Sequence, residues 1–196
     1  VLHEVPSLDL YRDDDPFLTP HWREYRDWVD VLETATMWTA GFPEPLTYSI
    51  RALRALRDRV ADFDVVHDNQ VLGYGMLGIP RLGLPLVTSV HHPISVDRRI
   101  ELREARGMAR LSKWRWYGFV RMQARVARRV SEHAPILTVS SSARDDICRD
   151  FGVAPGNVRI IPLGVDTRVF HPRPAPRVPG RIVAVASSDS PLKGVA

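Results

Sequence analysis

Short apolar segments alternate with longer helical segments along most of this sequence. Four of the apolar segments are predicted to be buried strands, because each is short and is bounded by turn residues. They cover residues 63–67, 86–90, 136–139 and 158–161. Strands that alternate with helices usually pair in parallel and are covered by helices on both faces. The sequence therefore predicts an α/β fold built on a doubly wound parallel sheet.

Helical patterns fill the intervals between these strands. Thr19 and Pro20 match a helix cap and first turn, so we predict that the first helix begins there. Further helices are predicted over 50–61 and 71–79, and a long basic one over 98–132. We expect the apolar stripe of the first helix to pack in the interior rather than to bind a cofactor. This stripe consists of Trp22, Tyr25, Trp28, Val29 and Leu32.

The last predicted helix of this series follows the serine run after the third strand. Ser142 and Ala143 are predicted to form its cap and first turn, and Gly152 is predicted to end it.

Proline is concentrated after the fourth strand, in a segment typical of a stiff linker that contains Pro172, Pro174, Pro176 and Pro179. The apolar run after it predicts the first strand of another domain. We therefore divide the chain into a first domain over 1–170, a linker over 171–180 and the start of a second domain over 181–196. Because the sequence has no initiator Met, we expect it to be part of a longer protein.

The composition excludes several classes of protein. It is 44% hydrophobic and 26% charged, and no apolar run reaches the length of a membrane span. The single cysteine, Cys148, excludes an internal disulfide, suits a reducing compartment such as the cytoplasm, and has no neighbouring ligands for a metal. The acidic triplet 13–15 is expected to be a solvated loop. The sequence also lacks a nucleophile elbow for acyl transfer and a Walker-type phosphate loop.

Polar residues occur at the carboxyl ends of three predicted strands. They are His67 to Asn69, His91 with His92, and Ser140 to Ser142. Ligands of parallel sheets bind beyond the carboxyl ends of the strands, so these side chains are candidates for a site. A single histidine is more often structural, and on this evidence alone the structural and the functional interpretation both stay open.

Five motifs occur in order along the last two-thirds of the chain: FDVVHDN at 63–69, LPLVTSVHHP at 84–93, ILTVSSSARDDI at 136–147, IIPLGVDTRVFHP at 160–172 and RIVAVASSDSPLKGV at 181–195. Together they resemble the motifs of the retaining group-4 glycosyltransferases of the GT-B fold. The resemblance implies two Rossmann-like halves, of which this chain holds most of the acceptor-side half and the first strand of the nucleotide-binding half.

The resemblance also implies an activity. Such an enzyme transfers a hexose from a nucleoside-diphosphate sugar to a carbohydrate or lipid-linked acceptor, retains the anomeric configuration, and uses no metal or other cofactor. We expect this chain alone to be inactive, because half of the donor site would be missing.

The resemblance assigns individual residues to the site. It places His91 at the active-site histidine of the family, in contact with sugar hydroxyls. Lys193 corresponds to a lysine that binds the donor diphosphate, and Ser188 stands where the family has a phosphate-binding arginine. A binding role and a structural role both stay open for His92. The other substrate-binding candidates are His67, Asn69, Ser140 and Gly164.

The segment 98–129 is strongly basic, with eleven Arg or Lys against two Glu. It is either the solvated face of a helix or, because aromatic residues accompany it, a surface for an anionic membrane. The second interpretation places the protein on the inner face of a membrane. We expect no nucleic-acid partner, because no recognition motif is present.

Two other functions stay open at this stage. One is another GT-B activity, a nucleotide-sugar epimerase or a polymerase similar to glycogen synthase. The other is a non-catalytic Rossmann-like binding module.

Overall fold

The computed structural model describes residues 2–10, 19–172, 178–181 and 183. The chain divides into two compact units, Val1–Ile161 and Pro162–Ala196, which are described separately.

The first unit is built on a parallel sheet of four strands in the order β1-β2-β3-β4. Helices occupy the connections between the strands, and this confirms the predicted α/β, Rossmann-like architecture. The strands are β1 Val66–Asn69, β2 Leu86–Ser89, β3 Ile136–Thr138 and β4 Val158–Ile160. The described residues form the helices α1 Trp28–Trp38, α2 Glu44–Arg57, α3 Ser95–Glu104, α4 Gly107–Trp116, α5 Phe119–Ser131 and α6 Ser141–Asp146.

The first strand begins three residues later than predicted. Phe63 closes a short 3-10 turn, because its N–H donates to the carbonyl of Val60. The first hydrogen bond to the neighbouring strand comes from the N–H of Val66, which donates to Pro85 at 2.9 Å. His67 therefore lies within β1 rather than after it.

The prediction for the first helix is wrong in two respects. The helix begins at Trp28, because the Asp27 carboxylate accepts hydrogen bonds from the N–H groups of the first turn. Trp22 lies outside it, in a separate 3-10 turn. The aromatic stripe is also not interior packing, because Trp22 and Trp28 are 71% and 57% exposed. Val29 is the member of that stripe that is fully buried.

Other helix boundaries also differ from the predictions. The second helix starts earlier, at Glu44, and the predicted helix over 71–79 is instead a 3-10 helix that covers only Tyr74–Gly78. The long basic helix is three helices. The first break lies at Arg106, which is extended, and Gly107, which has a positive φ of 56°; the second lies at Tyr117 and Gly118, between α4 and α5. The cap of α6 is Ser140 rather than Ser142. Gly152 ends this helical segment as predicted, with φ 68°.

Helix α5 packs its apolar face against the sheet. Its buried positions recur at helical spacing, and its arginines lie on the opposite, exposed side. The buried residues are Val120, Met122, Gln123, Val126, Ala127, Val130 and Ser131. The apolar residues of this set pack into one core with strand residues that include Leu86, Ile136 and Val158.

Buried ion pairs join α1 to α2. Arg51 donates to Asp30 Oδ1 at 2.5 Å and to Glu33 Oε2 at 2.6 Å, and all three side chains are buried. Glu33 also accepts from the N–H of Leu8 at 3.4 Å, which ties the segment before α1 to both helices. Burial acts to raise the pKa of the Asp30 carboxyl, but the hydrogen bonds from Arg26 and Arg51 outweigh it and hold that pKa below its ordinary value.

Glycine allows α2 to approach the turn that follows β1. A Cβ atom at Gly75 would overlap the backbone carbonyl group of Ser49, and the N–H of Gly75 donates to the Ser49 hydroxyl at 3.1 Å. We expect Gly75→Ala to destabilise the fold by ~1–3 kcal/mol or more, because the backbone at Gly75 must move away from the backbone of α2 at Ser49. Chemical denaturation measures this change. Gly156→Ala is the control, because its Cβ would meet no atom within 4 Å. An equal effect of both substitutions would contradict the explanation.

The second unit contains a turn organised by Asp166. Its carbonyl accepts hydrogen bonds from the N–H groups of Val169 and Phe170, and its carboxylate accepts from the N–H of Arg168 at 2.9 Å. The hydrogen bonds from Arg168 hold the pKa of this carboxyl below its ordinary value. The acidic triplet 13–15 and nearly all of the predicted strand 182–186 lie outside the described residues, so the division into domains stays a prediction.

Candidate functional site

A cavity of about 720 Å³ opens at the carboxyl ends of β1 and β2. Asn69 and Gln70 line it from the end of β1, and His91 and His92 line it from the end of β2. Its other walls come from the segment before α1, from α2 and from α5, and they include Leu8, Tyr48, Phe119 and Gln123.

His91 is paired with the end of the neighbouring strand. Its Nε2 lies 2.8 Å from Oδ1 of Asn69. Because a carbonyl oxygen can only accept, Nε2 carries the proton, and in the neutral ring Nδ1 is left as a hydrogen-bond acceptor. The Asn69 side chain therefore selects the tautomer of His91, and the ring keeps one nitrogen that can accept a hydrogen bond from a hydroxyl group.

Gln70 joins the two strand ends. Its Oε1 accepts a hydrogen bond from the N–H of His91 at 2.7 Å, and its Nε2 donates to the carbonyl of His92 at 2.9 Å. The backbone of Gln70 is left-handed, with φ 65°, which is rare outside glycine. Such strain persists where the surrounding structure holds it, and it is concentrated at functional sites. Sequence reasoning missed Gln70, although it directly follows the polar strand end that was singled out.

Two buried side chains hold this strained loop. The Asp68 carboxylate accepts hydrogen bonds from the N–H groups of Val71 and Leu72, at 2.9 and 3.2 Å. Burial raises the pKa of the Asp68 carboxyl, although these two hydrogen bonds act to lower it. From α5, Gln123 Nε2 donates to the carbonyls of Gln70 and Val71, both at 3.2 Å. Hydrogen bonds with Asp68 and Gln123 thus hold the backbone of residues 70–72, which directly follow Asn69.

The cavity is acidic and apolar rather than basic. Among the described residues, the carboxylates of Asp9, Glu33 and Glu44 line it, together with one guanidinium, that of Arg51. Burial, together with the Glu33 carboxylate, raises the pKa of the Glu44 carboxyl. Such a lining disfavours a phosphate group and suits a neutral ligand that carries hydroxyl groups.

The structure brings Asn69, His91 and His92 together at this cavity, whereas His67 and Ser140 are not among its lining residues. His92 Nε2 lies 3.6 Å from Oδ2 of Asp97. His67 Nε2 bonds the Ser89 hydroxyl at 2.8 Å and does not line the cavity.

The remaining candidates have no shown connection to the cavity. The hydroxyl of Ser140 accepts from the N–H of Ala143 and caps α6. Gly164 belongs to the second unit, where a Cβ would meet no atom within 4 Å. Ser188 and Lys193 lie outside the described residues. The roles of all four stay predictions.

In the described part of the chain, no group of three or more His, Cys, Asp or Glu side chains is arranged to hold a metal ion. Within the same residues, no helix has both the length and the apolar character that crossing a bilayer requires.

Comparison with known proteins gives two matches. The family model described as Glycosyltransferase Family 4 matches residues 9–169. A protein of Mycolicibacterium hassiacum (strain DSM 44199 / CIP 105218 / JCM 12690 / 3849), named MMP alpha-(1->4)-mannosyltransferase, is 55% identical over 194 residues. The match covers 99% of this chain and 46% of that protein, so the chain spans about half the length of the curated relative.

Proposed function

This chain belongs to Glycosyltransferase Family 4, and we propose that its protein transfers a hexose from a nucleoside-diphosphate sugar to a carbohydrate acceptor. The observation that carries the proposal is the pairing of His91 with Asn69 at the mouth of an acidic and apolar cavity. The motif resemblance gives His91 the role of the active-site histidine, and its Nδ1, an acceptor in the neutral ring, suits contact with a sugar hydroxyl.

The relative supports a narrower version of the proposal. It is 55% identical and is named an alpha-(1->4)-mannosyltransferase, so we propose a mannosyl donor and an α-(1→4) linkage. An α-linked product formed from an α-linked sugar nucleotide retains the anomeric configuration, in agreement with a retaining mechanism.

The described residues contribute binding and orientation in this mechanism. His91 accepts a hydrogen bond from a hydroxyl of the transferred sugar or of the acceptor, and Asn69 and Gln70 hold the imidazole and its backbone in place. The resemblance assigns the negative charge that develops on the departing diphosphate to Lys193 and Ser188. No metal is required in this proposal.

The acceptor is proposed to occupy the cavity described above. Its carboxylates and the amide groups of Asn69 and Gln70 offer acceptors and donors for hydroxyl groups, while Tyr48 and Phe119 offer aromatic surface. A neutral saccharide suits both the hydrogen-bonding groups and the aromatic surface of the cavity. This favours a carbohydrate acceptor over one whose phosphate would lie in the cavity.

Analysis of the product tests the linkage. The full-length protein is incubated with a nucleoside-diphosphate mannose and short mannose oligosaccharides, and the product is examined by NMR. We expect an acceptor longer by one mannose with an α-(1→4) bond. A β-linked product would contradict retention, and another sugar or linkage would contradict the narrower proposal.

A specific observation supports association with an anionic membrane as a second element of function. None of the residues of α4 is buried, and it exposes Met108, Leu111 and Trp114, which are 79%, 51% and 43% accessible. These residues follow one another at intervals of three along the helix, next to Lys113 and Arg115. Exposed apolar and cationic residues on one helix are typical of binding at a membrane interface.

Vesicle sedimentation tests this association. We expect the full-length protein to bind phosphatidylglycerol vesicles, less strongly as salt rises, and the Met108→Ser, Leu111→Ser variant to bind weakly. Val31→Ser with Trp38→Ser is the matched control, because both residues are exposed on α1. Equal binding to neutral vesicles would contradict the electrostatic explanation, and absence of binding would remove the membrane partner.

A further inference from the structure

A second cavity, of about 790 Å³, lies among α3, α4, α5 and the segment that continues α6. It shares no lining residue with the cavity at the ends of β1 and β2. Its lining is dominated by guanidinium groups, which belong to Arg98, Arg99, Arg103, Arg110, Arg121 and Arg149. The carboxylate among its lining residues is that of Asp150.

Asp150 is already engaged by its neighbours. It accepts from Arg99 at 2.6 Å, from the Arg149 Nε at 2.8 Å and from the Ser95 hydroxyl at 2.7 Å. Burial acts to raise the pKa of this carboxyl, but the hydrogen bonds from Arg149 and Ser95 and the charge of Arg99 hold it below its ordinary value. Asp150 therefore stays ionised and neutralises part of the charge of two arginines.

The other four guanidinium groups of the lining are not paired with a carboxylate of the described residues. Among the described residues, Arg98, Arg103 and Arg110 have no acidic partner within 4 Å. Arg121 lies over the ring of Trp114, with its Cζ 5.3 Å from the ring centroid. Cations held around one cavity repel each other, and a bound anion relieves that repulsion.

We infer that this arginine-lined cavity is a binding site for a phosphate-bearing anion with more than one negative charge, such as a diphosphate or a phosphate ester. Guanidinium groups donate two parallel hydrogen bonds to a phosphate, and their desolvation penalty is lower than that of an ammonium ion because they are more weakly hydrated. The arginines of α3, α4 and α5 line the cavity from different sides. This arrangement suits a tetrahedral anion better than arginines on a flat surface would. The phosphate belongs either to a soluble metabolite or to a phospholipid headgroup.

Calorimetric titration of the full-length protein with inorganic pyrophosphate, in the absence of any sugar donor, tests the site. We expect saturable binding that the Arg98→Gln, Arg103→Gln, Arg110→Gln variant weakens at least ~10-fold, because three charge-assisted contacts are removed. The control variant Arg57→Gln, Arg81→Gln, Arg159→Gln removes the same charge from exposed positions outside the cavity. It is expected to bind as the unmodified protein does. Circular dichroism shows whether each variant is folded.

Sedimentation with vesicles that contain phosphatidic acid, whose phosphate monoester can carry two negative charges, identifies the source of the phosphate when it is done with and without pyrophosphate. If pyrophosphate binds to the protein but does not reduce its binding to vesicles, the result supports a soluble ligand. Vesicle binding that requires the three cavity arginines supports a headgroup, whether or not pyrophosphate competes. The proposal would be overturned if the protein bound neither pyrophosphate nor vesicles. It would also be overturned if the two triple variants lost pyrophosphate affinity equally. Pyrophosphate can also bind at the proposed donor diphosphate site, but neither triple variant alters Lys193 or Ser188. The difference between the two variants therefore reports on this cavity and is independent of the proposed transferase activity.

Discussion

His91→Ala in the full-length protein is expected to lower kcat for hexosyl transfer by ~100-fold, the scale on which enzymes lose rate when one hydrogen bond to the reacting groups is removed. The loss follows from the geometry, since the Asn69 carbonyl fixes the tautomer of the imidazole and Gln70 fixes its backbone. Because the His91 side chain is exposed, removal of the ring is expected to leave the fold intact. Steady-state kinetics with saturating donor and acceptor measure the change.

The control for this experiment is a histidine of similar exposure outside the cavity. His133 follows α5, and its ring contacts the carbonyl of Arg129. We expect His133→Ala to leave kcat and KM unchanged. Unchanged kinetics for His91→Ala, in a protein with an unchanged circular dichroism spectrum, would remove His91 from the site.

Arg51→Met is expected to destabilise the fold by ~3–5 kcal/mol, because it leaves two buried carboxylates without their shared cation. Asp30 keeps its contact with Arg26, but the Glu33 carboxylate loses the Arg51 guanidinium, to which it is bound through both oxygens. Methionine fills much of the same volume, so the loss reports mainly on the charges. Urea denaturation at neutral pH measures the change in the free energy of unfolding.

A neighbouring arginine provides the matched control. Arg54 lies one turn further along α2 and pairs with Asp27 at the surface, where both side chains are more than a third exposed. Solvent screens such a pair, and we expect Arg54→Met to change the free energy of unfolding by at most ~1 kcal/mol. Equal effects of the two substitutions would show that the buried network does not stabilise the packing of α1 on α2.

The architecture was predictable because it depends on the spacing of apolar residues. The four strands were identified in order, since each is a short apolar run between turn residues, and the parallel sheet follows from the helices between them. Element boundaries were less predictable. Phe63 belongs to the same apolar run as the residues of β1, yet a local hydrogen bond to Val60 places it in a turn. The Asp27 carboxylate, not Thr19, caps α1, and no pattern of apolar residues distinguishes the two.

The candidate site was predictable in part. The polar strand ends indicated Asn69, His91 and His92, because the carboxyl ends of parallel strands meet at one edge of the sheet. The role of Gln70 was not predictable, since it depends on a left-handed backbone and on two hydrogen bonds that span neighbouring loops. The buried pairing of Arg51 was missed for a similar reason. A charged residue on an amphipathic helix is normally solvated, and only its tertiary partners reveal that it is not.

A donor screen on the full-length protein tests the central claim most directly. Nucleoside-diphosphate hexoses are supplied one at a time, with and without short mannose oligosaccharides, and the released nucleoside diphosphate is measured. We predict release from a mannosyl donor that requires the acceptor and falls ~100-fold in His91→Ala. Interconversion of the sugar nucleotide without acceptor would indicate an epimerase instead. Absence of turnover with every donor, in a protein that still binds them, would indicate a non-catalytic binding module and contradict the proposal.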